Sequence, residues 1–364
     1  MRFTIFGLTI SSSWGNGHAT LWRGLCKALA ALGHSVTFYE RDVPYYADTR
    51  DLDSLAKGEL KLYRAWETIA AQARDDIENS DVAIVTSYCP DALHASDSIL
   101  SQSRALRVFY DLDTPVTLAH LDADSEVPYI GPSGLSGFDL VLSYSGGHSL
   151  QLFKSRLGAR RAAPLYGHVD PDLHRPSPPM PQFAADLSYL GTYAKDRQQT
   201  LEALFIEPAG CQPDRRFLIG GAQYPNDFPW TSNIYFVRHL PPAAHPAFFC
   251  SSRLTLNVTR KPMAESGWCP SGRLFEAAAC GAPVVSDAWD GIDTFFAPGQ
   301  DIIVARNTRD ILAALELSDA ELTAMARRAR ERTLAQHSSS VRARELVALV
   351  EQSPQRSDPL TMEA

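Results

Sequence analysis

Between Asn257 and Asp287 the sequence reads NVTRKPMAESGWCPSGRLFEAAACGAPVVSD, and its residue types suit the binding of a phosphorylated ligand. Ser271 has the chemistry of an N-cap, and Gly272, Arg273 and Leu274 would form the first turn of a helix. The unpaired amides and positive end of such a helix attract an anion, and Gly272 lets a ligand approach the backbone closely. Arg273 and the Arg260–Lys261 pair would add charged donors to phosphate oxygens. Glu276 stands about 7 Å beyond Ser271 along a helix axis, on the order of the separation between a diphosphate and the hydroxyls of its ribose. Cys280–Gly281 ends the helix, Pro283 enters a strand, and Asp287 falls at that strand's C-terminal end, where open α/β sheets bind ligands. The same stretch also suits plain helix–sheet packing, because Ala277, Ala278 and Ala279 are small.

Other candidates lie in the N-terminal half. Gly15-Asn16-Gly17-His18 closes the loop after the first apolar run. Gly17 permits close backbone approach, and His18 has the ordinary pKa of a general base near neutrality, or else simply begins a helix. Read as G-x-G-x-x-T with Glu40 after the next strand, the loop is half a dinucleotide fingerprint, with Thr20 in place of the third glycine. Asp111 and Asp113 follow a strand; such a pair could hold a metal, bind an acceptor or take a proton, or satisfy loop amides. Gly147, in Gly146-Gly147-His148, ends another strand and is a further acceptor-side candidate. The Arg327, Arg328, Arg330 and Arg332 cluster is interrupted by alanine and acid and reads as a solvated helix face.

These residues need a scaffold, and the pattern supplies one twice. Strand-like runs at Phe3–Ile10, Val36–Tyr39, Val82–Ser87, Leu106–Tyr110 and Phe138–Ser143 alternate with helical stretches. Leu21, Leu25, Ala28, Leu29 and Leu32 share one helix face that Gly33 terminates, and Leu52–Ile77 reads as helical. Prolines 171, 176, 178, 179 and 181 then mark a linker. Alternation restarts with strands at Leu187–Leu190, Arg216–Ile219, Ile234–Val237, Leu254–Val258, Pro283–Ser286 and Asp301–Ala305. Ser318 and Glu321 form a capping-box pair, and a last helix covers roughly Ser340–Val350. The expected fold class is α/β, with parallel, helix-covered sheets. The expected domains are 1–170, a proline-rich linker at 171–186, 187–337, a C-terminal helix at 338–353 that packs back on the first domain, and a disordered tail at 354–364.

At 364 residues the chain exceeds one ordinary domain, and 45% hydrophobic with 21% charged residues is a globular balance. A net charge of −8 argues against nucleic acid as a partner while leaving room for a local basic pocket. The six cysteines contain no C-x-x-C pair, so neither a zinc site nor a disulfide framework is expected and reduced thiols fit a cytoplasmic setting. No run has the apolar length of a transmembrane helix, and the N-terminus reads as a first strand.

The run FEAAACGAPVVSD resembles the donor helix of GT-B glycosyltransferases. Together with YLGTYAKDRQ (189–198), GGAQYP (220–225), HLPPAAH (239–245), SSRLTLNVTR (251–260) and PSGRLFEAAACG, it is similar to the CgeB-type glycosyltransferase family. The resemblance implies two Rossmann-like doubly wound domains facing a central cleft, and a nucleotide-sugar donor whose ribose meets Glu276. It also implies phosphate-binding cations at Lys195 and Arg197, the alternative being a solvated helix start. Backbone groups at His239 and Leu240 would meet the nucleobase. Gly17 would face the donor, and His18 or Asp113 would deprotonate an acceptor, with Asp111 and Gly147 on the acceptor side. Many retaining relatives of this fold carry a second glutamate eight residues before the ribose one; here that position is Trp268, and Glu265 is out of register. The expected reaction is metal-independent sugar transfer to a hydroxyl, with no cofactor beyond the donor substrate. The alternatives are a nucleotide-sugar epimerase of the same architecture and a non-catalytic spore or cell-surface assembly protein.

Overall fold

The computed structural model describes residues 1–14, 17–101 and 104–353; the expected tail and Gly15–Asn16 lie outside them. The chain forms two units, Met1–Tyr166 with Ser339 onward, and Gly167–Ser338. Each is built on one all-parallel sheet.

In the first unit, β1 (Arg2–Gly7), β2 (Ser35–Arg41), β3 (Gly58–Tyr63), β4 (Val82–Thr86), β5 (Leu106–Asp111), β6 (Leu140–Ser143) and β7 (Ala162–Pro164) lie in the order β3-β2-β1-β4-β5-β6-β7. The order reverses between β1 and β4. The C-terminal ends of β1, β4 and β5 therefore open together, as at the switch point of a doubly wound sheet. Buried apolar runs such as Val82–Val85 and Val108–Phe109 fill the sheet. Helix Gly17–Ala31 buries Trp22, Leu25 and Leu29 and packs against helix Ser339–Glu351.

One expectation fails here. Leu52–Ile77 is not a continuous helix: it holds strand β3, a short 3-10 turn at Trp66–Thr68 and a helix at Ala70–Glu78. Gly58 explains the start of β3. Its φ is +134°, and a Cβ there would fall 1.8 Å from the Val36 carbonyl oxygen, so only glycine lets the strand begin against β2.

In the second unit, β8 (Ala185–Leu190), β9 (Phe217–Gly221), β10 (Ile234–Arg238), β11 (Ser252–Asn257), β12 (Val284–Asp287) and β13 (Ile303–Ala305) repeat the order as β10-β9-β8-β11-β12-β13. Leu187, Tyr189, Phe205, Phe217, Ile219 and Leu256 centre its core. The capping box forms as read: Ser318 and Glu321 exchange side-chain and backbone bonds at the start of helix Asp319–Gln336. The two parallel sheets with flanking helices, each in Rossmann strand order, make this the GT-B fold. Among the described residues no helix is long and apolar enough to cross a membrane.

Candidate functional site

In the second unit the candidate residues converge on helix Gly272–Ala279. It enters from a buried Ser271 whose backbone has cap-like angles (φ −65°, ψ 137°) but whose hydroxyl bonds none of the first amides. The Ser271 carbonyl accepts from Leu274 N at 3.1 Å instead. Ser271 therefore begins the helix without capping it through its side chain, contrary to the sequence expectation, and the opening amides keep no side-chain partner.

Glu276 also departs from its axial estimate. Helical side chains lean toward the N-terminus, and the Glu276 carboxylate turns back on the first turn. A Cβ added at Gly272 would stand 3.9 Å from Glu276 Oε1. The acid lies beside the helix start rather than a full turn beyond it, and glycine at 272 keeps that space open.

Three guanidinium groups gather in the same electrostatic neighbourhood. Arg197 is buried, and its pKa is pulled down first by that burial, then by Arg273, with Arg260 adding to the effect. Its Nη1 donates to the Thr192 carbonyl at 3.2 Å, while its Nε has no partner among the described residues. Arg273 is half-buried and makes no side-chain hydrogen bond or ion pair to a described residue. Arg260 Nε donates to Asp196 at 2.7 Å. Three cations against two carboxylates, Asp196 and Glu276, leave positive charge that an anion would compensate. The loop carrying Arg260 is tied down by Asp287, whose carboxylate accepts from Thr259 N at 3.0 Å and Thr259 Oγ1 at 2.9 Å. Burial pushes the Asp287 pKa up to about 6. Asp287 thus anchors the loop.

The remaining donor-side expectations divide. His239 follows β10 with φ +55°, and its amide donates to the Gly221 carbonyl at 2.7 Å. Leu240 is buried. Lys195 is exposed at the start of a 3-10 turn, and its amine has no hydrogen bond or ion pair with a described residue, so the structure does not join it to the three arginines. Glu265 pairs with Lys261 on its own exposed helix at 3.7 Å.

Sequence reading missed His174 and His245. Both ring ligand atoms lie with a Glu276 oxygen inside a span of 4.8 Å. His174 stands among the prolines read as linker, where nothing in its neighbours pointed to chemistry; His245 opens helix His245–Ser251 within a quoted motif, a position that could have drawn attention.

In the first unit, the switch-point ends carry a second cluster. His18 Nε2 lies 2.9 Å from Asp113 Oδ2, and Ser87 Oγ donates to the same oxygen at 2.9 Å. Asp113 sits ahead of helix Thr114–Asp122 without capping it, so its carboxylate is used on His18 and Ser87. Asp111, at the end of β5, is fully buried; its Oδ1 accepts from Asp113 N at 2.9 Å and its Oδ2 has no hydrogen-bond partner among the described residues. Gly147 takes φ +57° ahead of helix His148–Leu157, which only glycine adopts easily with ψ −134°. Gly17 is the exposed first residue of its helix. Glu40, the acid of the half fingerprint, is not available to a ribose. Its two oxygens accept from Thr9 Oγ1, Ile10 N, Ser11 N and Ser11 Oγ at 2.5–2.9 Å, which fixes the loop after β1.

Burial lifts the Asp111 pKa from 3.8 to about 7. Between roughly pH 4 and pH 7 the folded chain then holds a proton that the unfolded chain has released, so this group's contribution to stability falls as pH rises through that window. The full effect is on the order of 4 kcal/mol. Asp111→Asn, uncharged and of the same shape, should raise the melting temperature at pH 8 by several degrees and change it little at pH 4.5. Equal effects at both pH values would show that Asp111 is ionised throughout.

Residues 197–348 match the family model described as glycosyl transferase-like. No curated protein matches the chain. Among solved structures, sucrose-phosphate synthase from Thermosynechococcus elongatus superposes with a TM-score of 0.68 at 14% identity, covering 96% of this chain and 98% of the other. Anabaena HepE, solved with UDP-glucose, gives 0.67 at 12% identity, covering 96% and 99%. The T4 phage glucosyltransferase BGT, solved with UDP and Mn2+, gives 0.63 at 12%, covering 96% and 100%. These likenesses establish the fold. The family match falls on the segment that bears Arg197, Arg260, Arg273 and Glu276.

Proposed function

We propose that the chain transfers a sugar from a nucleotide-diphosphate donor held by the second unit to an acceptor hydroxyl activated by the first. The observation that carries this reading is the pooling of Arg197, Arg260 and Arg273 near a helix start whose Ser271 does not cap it, with the Glu276 carboxylate folded back beside that start. The amides and guanidinium groups suit a diphosphate, and the carboxylate suits two vicinal hydroxyls of a pentose. As the glycosidic bond breaks, its electron pair passes to the diphosphate, so donors aimed there stabilise the transition state more than the ground state. Neighbours solved with UDP or UDP-glucose support a nucleotide-sugar donor.

On the acceptor side, His18 is the base. The Asp113 carboxylate beside its ring supports the imidazolium that forms when it takes the acceptor proton. Gly17 leaves room for an approaching substrate, since a Cβ there would meet nothing within 4 Å, and buried Asp111 holds the Asp113 amide.

A thermal-shift panel of UDP, GDP, dTDP and CDP tests the donor half. One of the four should raise the melting temperature clearly, and Glu276→Ala should weaken that nucleotide by about tenfold or more. No response to any of the four, or an undiminished response in the variant, would overturn the assignment. Donor incubated alone should remain largely intact; its rapid conversion without acceptor would favour the epimerase instead.

A further inference from the structure

We propose that His174, His245 and Glu276 form a binding site for a divalent transition-metal ion of the zinc class. His174 is 2% exposed, yet neither of its ring nitrogens has a hydrogen-bond partner among the described residues. A buried imidazole left so is costly, because both nitrogens have given up water. Its Nε2 stands 4.0 Å from Glu276 Oε2, too far for a hydrogen bond and suited to an atom lying between. His245 approaches from another element, with its ring centroid 6.3 Å from that of His174. One ligand atom from each of the three residues lies within 4.8 Å of the others.

Two neutral imidazoles and a carboxylate are the donor set of open, four-coordinate zinc sites, the fourth place being left to water or a ligand. Around zinc, ligand atoms stand about 3.4 Å apart for bonds near 2.1 Å, so each side chain here would need to close by less than about 1 Å, a rotamer adjustment. Imidazole nitrogens favour zinc, nickel or copper over magnesium and manganese. The ligands come from three distant stretches, so no local spacing announces them, and none is a cysteine. The second consequence rests on the proposed donor site: Glu276 serves both, Oε1 toward the helix start and Oε2 toward His174, so a bound ion draws the carboxylate away from the pentose and weakens nucleotide binding.

The test is zinc titration of the metal-free full chain against a chromophoric chelator, in the absence of nucleotide. One equivalent should bind, and His174→Gln and His245→Gln should each weaken it by more than about 100-fold. Cys211→Ser and Cys250→Ser should leave it unchanged. No stoichiometric binding, or equal binding by both histidine variants, would overturn the proposal. Should either variant fail to fold, cobalt(II) loaded on the wild-type chain decides: a spectrum without a thiolate charge-transfer band supports the site, and one with that band refutes it. Because nucleotide is absent, failure here leaves the donor reading standing, and a silent nucleotide panel leaves the zinc reading standing.

Discussion

His18→Ala should lower kcat for sugar transfer by about 10²–10⁴-fold while leaving nucleotide-induced stabilisation of the protein intact. The separation follows from where the residue sits. His18 belongs to the first unit and touches Asp113, whereas the arginines and Glu276 belong to the second. Removing the ring deletes the proton acceptor without altering any group proposed to hold the donor. Asp113→Asn should cause a smaller loss in kcat, because the imidazole remains but loses the carboxylate that supports its charged form. It should also slow transfer more than it changes KM for the acceptor. If His18 merely begins its helix, the alanine variant would melt earlier and turn over at nearly the wild-type rate. That result would remove His18 from the mechanism, and Asp113 would then be the nearest remaining base.

The two sheets were legible because their buried strands carry apolar runs between helical periods, as in Val82–Val85 and Phe217–Ile219. Strand β3 was hidden for the opposite reason. Gly58–Tyr63 is an edge strand with a half-exposed, alternating pattern, flanked on both sides by stretches that read as helix. The alternation of Glu59, Leu60, Lys61 and Leu62 was its one local signal.

The donor helix announced itself through residue types in a short span, where sequence distance and spatial distance nearly coincide. Even there, the lean of helical side chains toward the N-terminus brought Glu276 closer to Gly272 than the axial rise suggests. What the sequence could not convey was juxtaposition. His18 and Asp113 are far apart in the chain and meet only because β1 and β5 flank β4 in the sheet order. His174 is drawn toward Glu276 from a proline-rich stretch whose composition suggested only an extended connection. Glu40 misled in the converse way: its position at the C-terminal end of β2 suits a ribose ligand, but the hydroxyls and amides of Thr9, Ile10 and Ser11 already occupy it.

Arg273→Ala should act in opposite directions on the empty and the liganded protein. In the empty chain, burial and then Arg273, with Arg260 adding, raise the cost of carrying charge on Arg197. Taking one guanidinium away relieves that repulsion, so the variant should melt slightly above the wild type. With a nucleoside diphosphate the order should reverse. A charged hydrogen bond of this kind is worth about 1.5–3 kcal/mol, so affinity should fall by about 10- to 100-fold. The fall should be steep for the diphosphate, smaller for the monophosphate and absent for the nucleoside, since only the phosphates meet the guanidinium. Arg273→Lys should recover part of the affinity by keeping the charge, but not all of it, because an ammonium cannot offer the paired donors of a guanidinium to two phosphate oxygens. Calorimetric titration of the three ligands, with melts of the empty proteins, distinguishes this from a packing role. A residue that only packs would destabilise the empty chain when truncated and would weaken all three ligands alike.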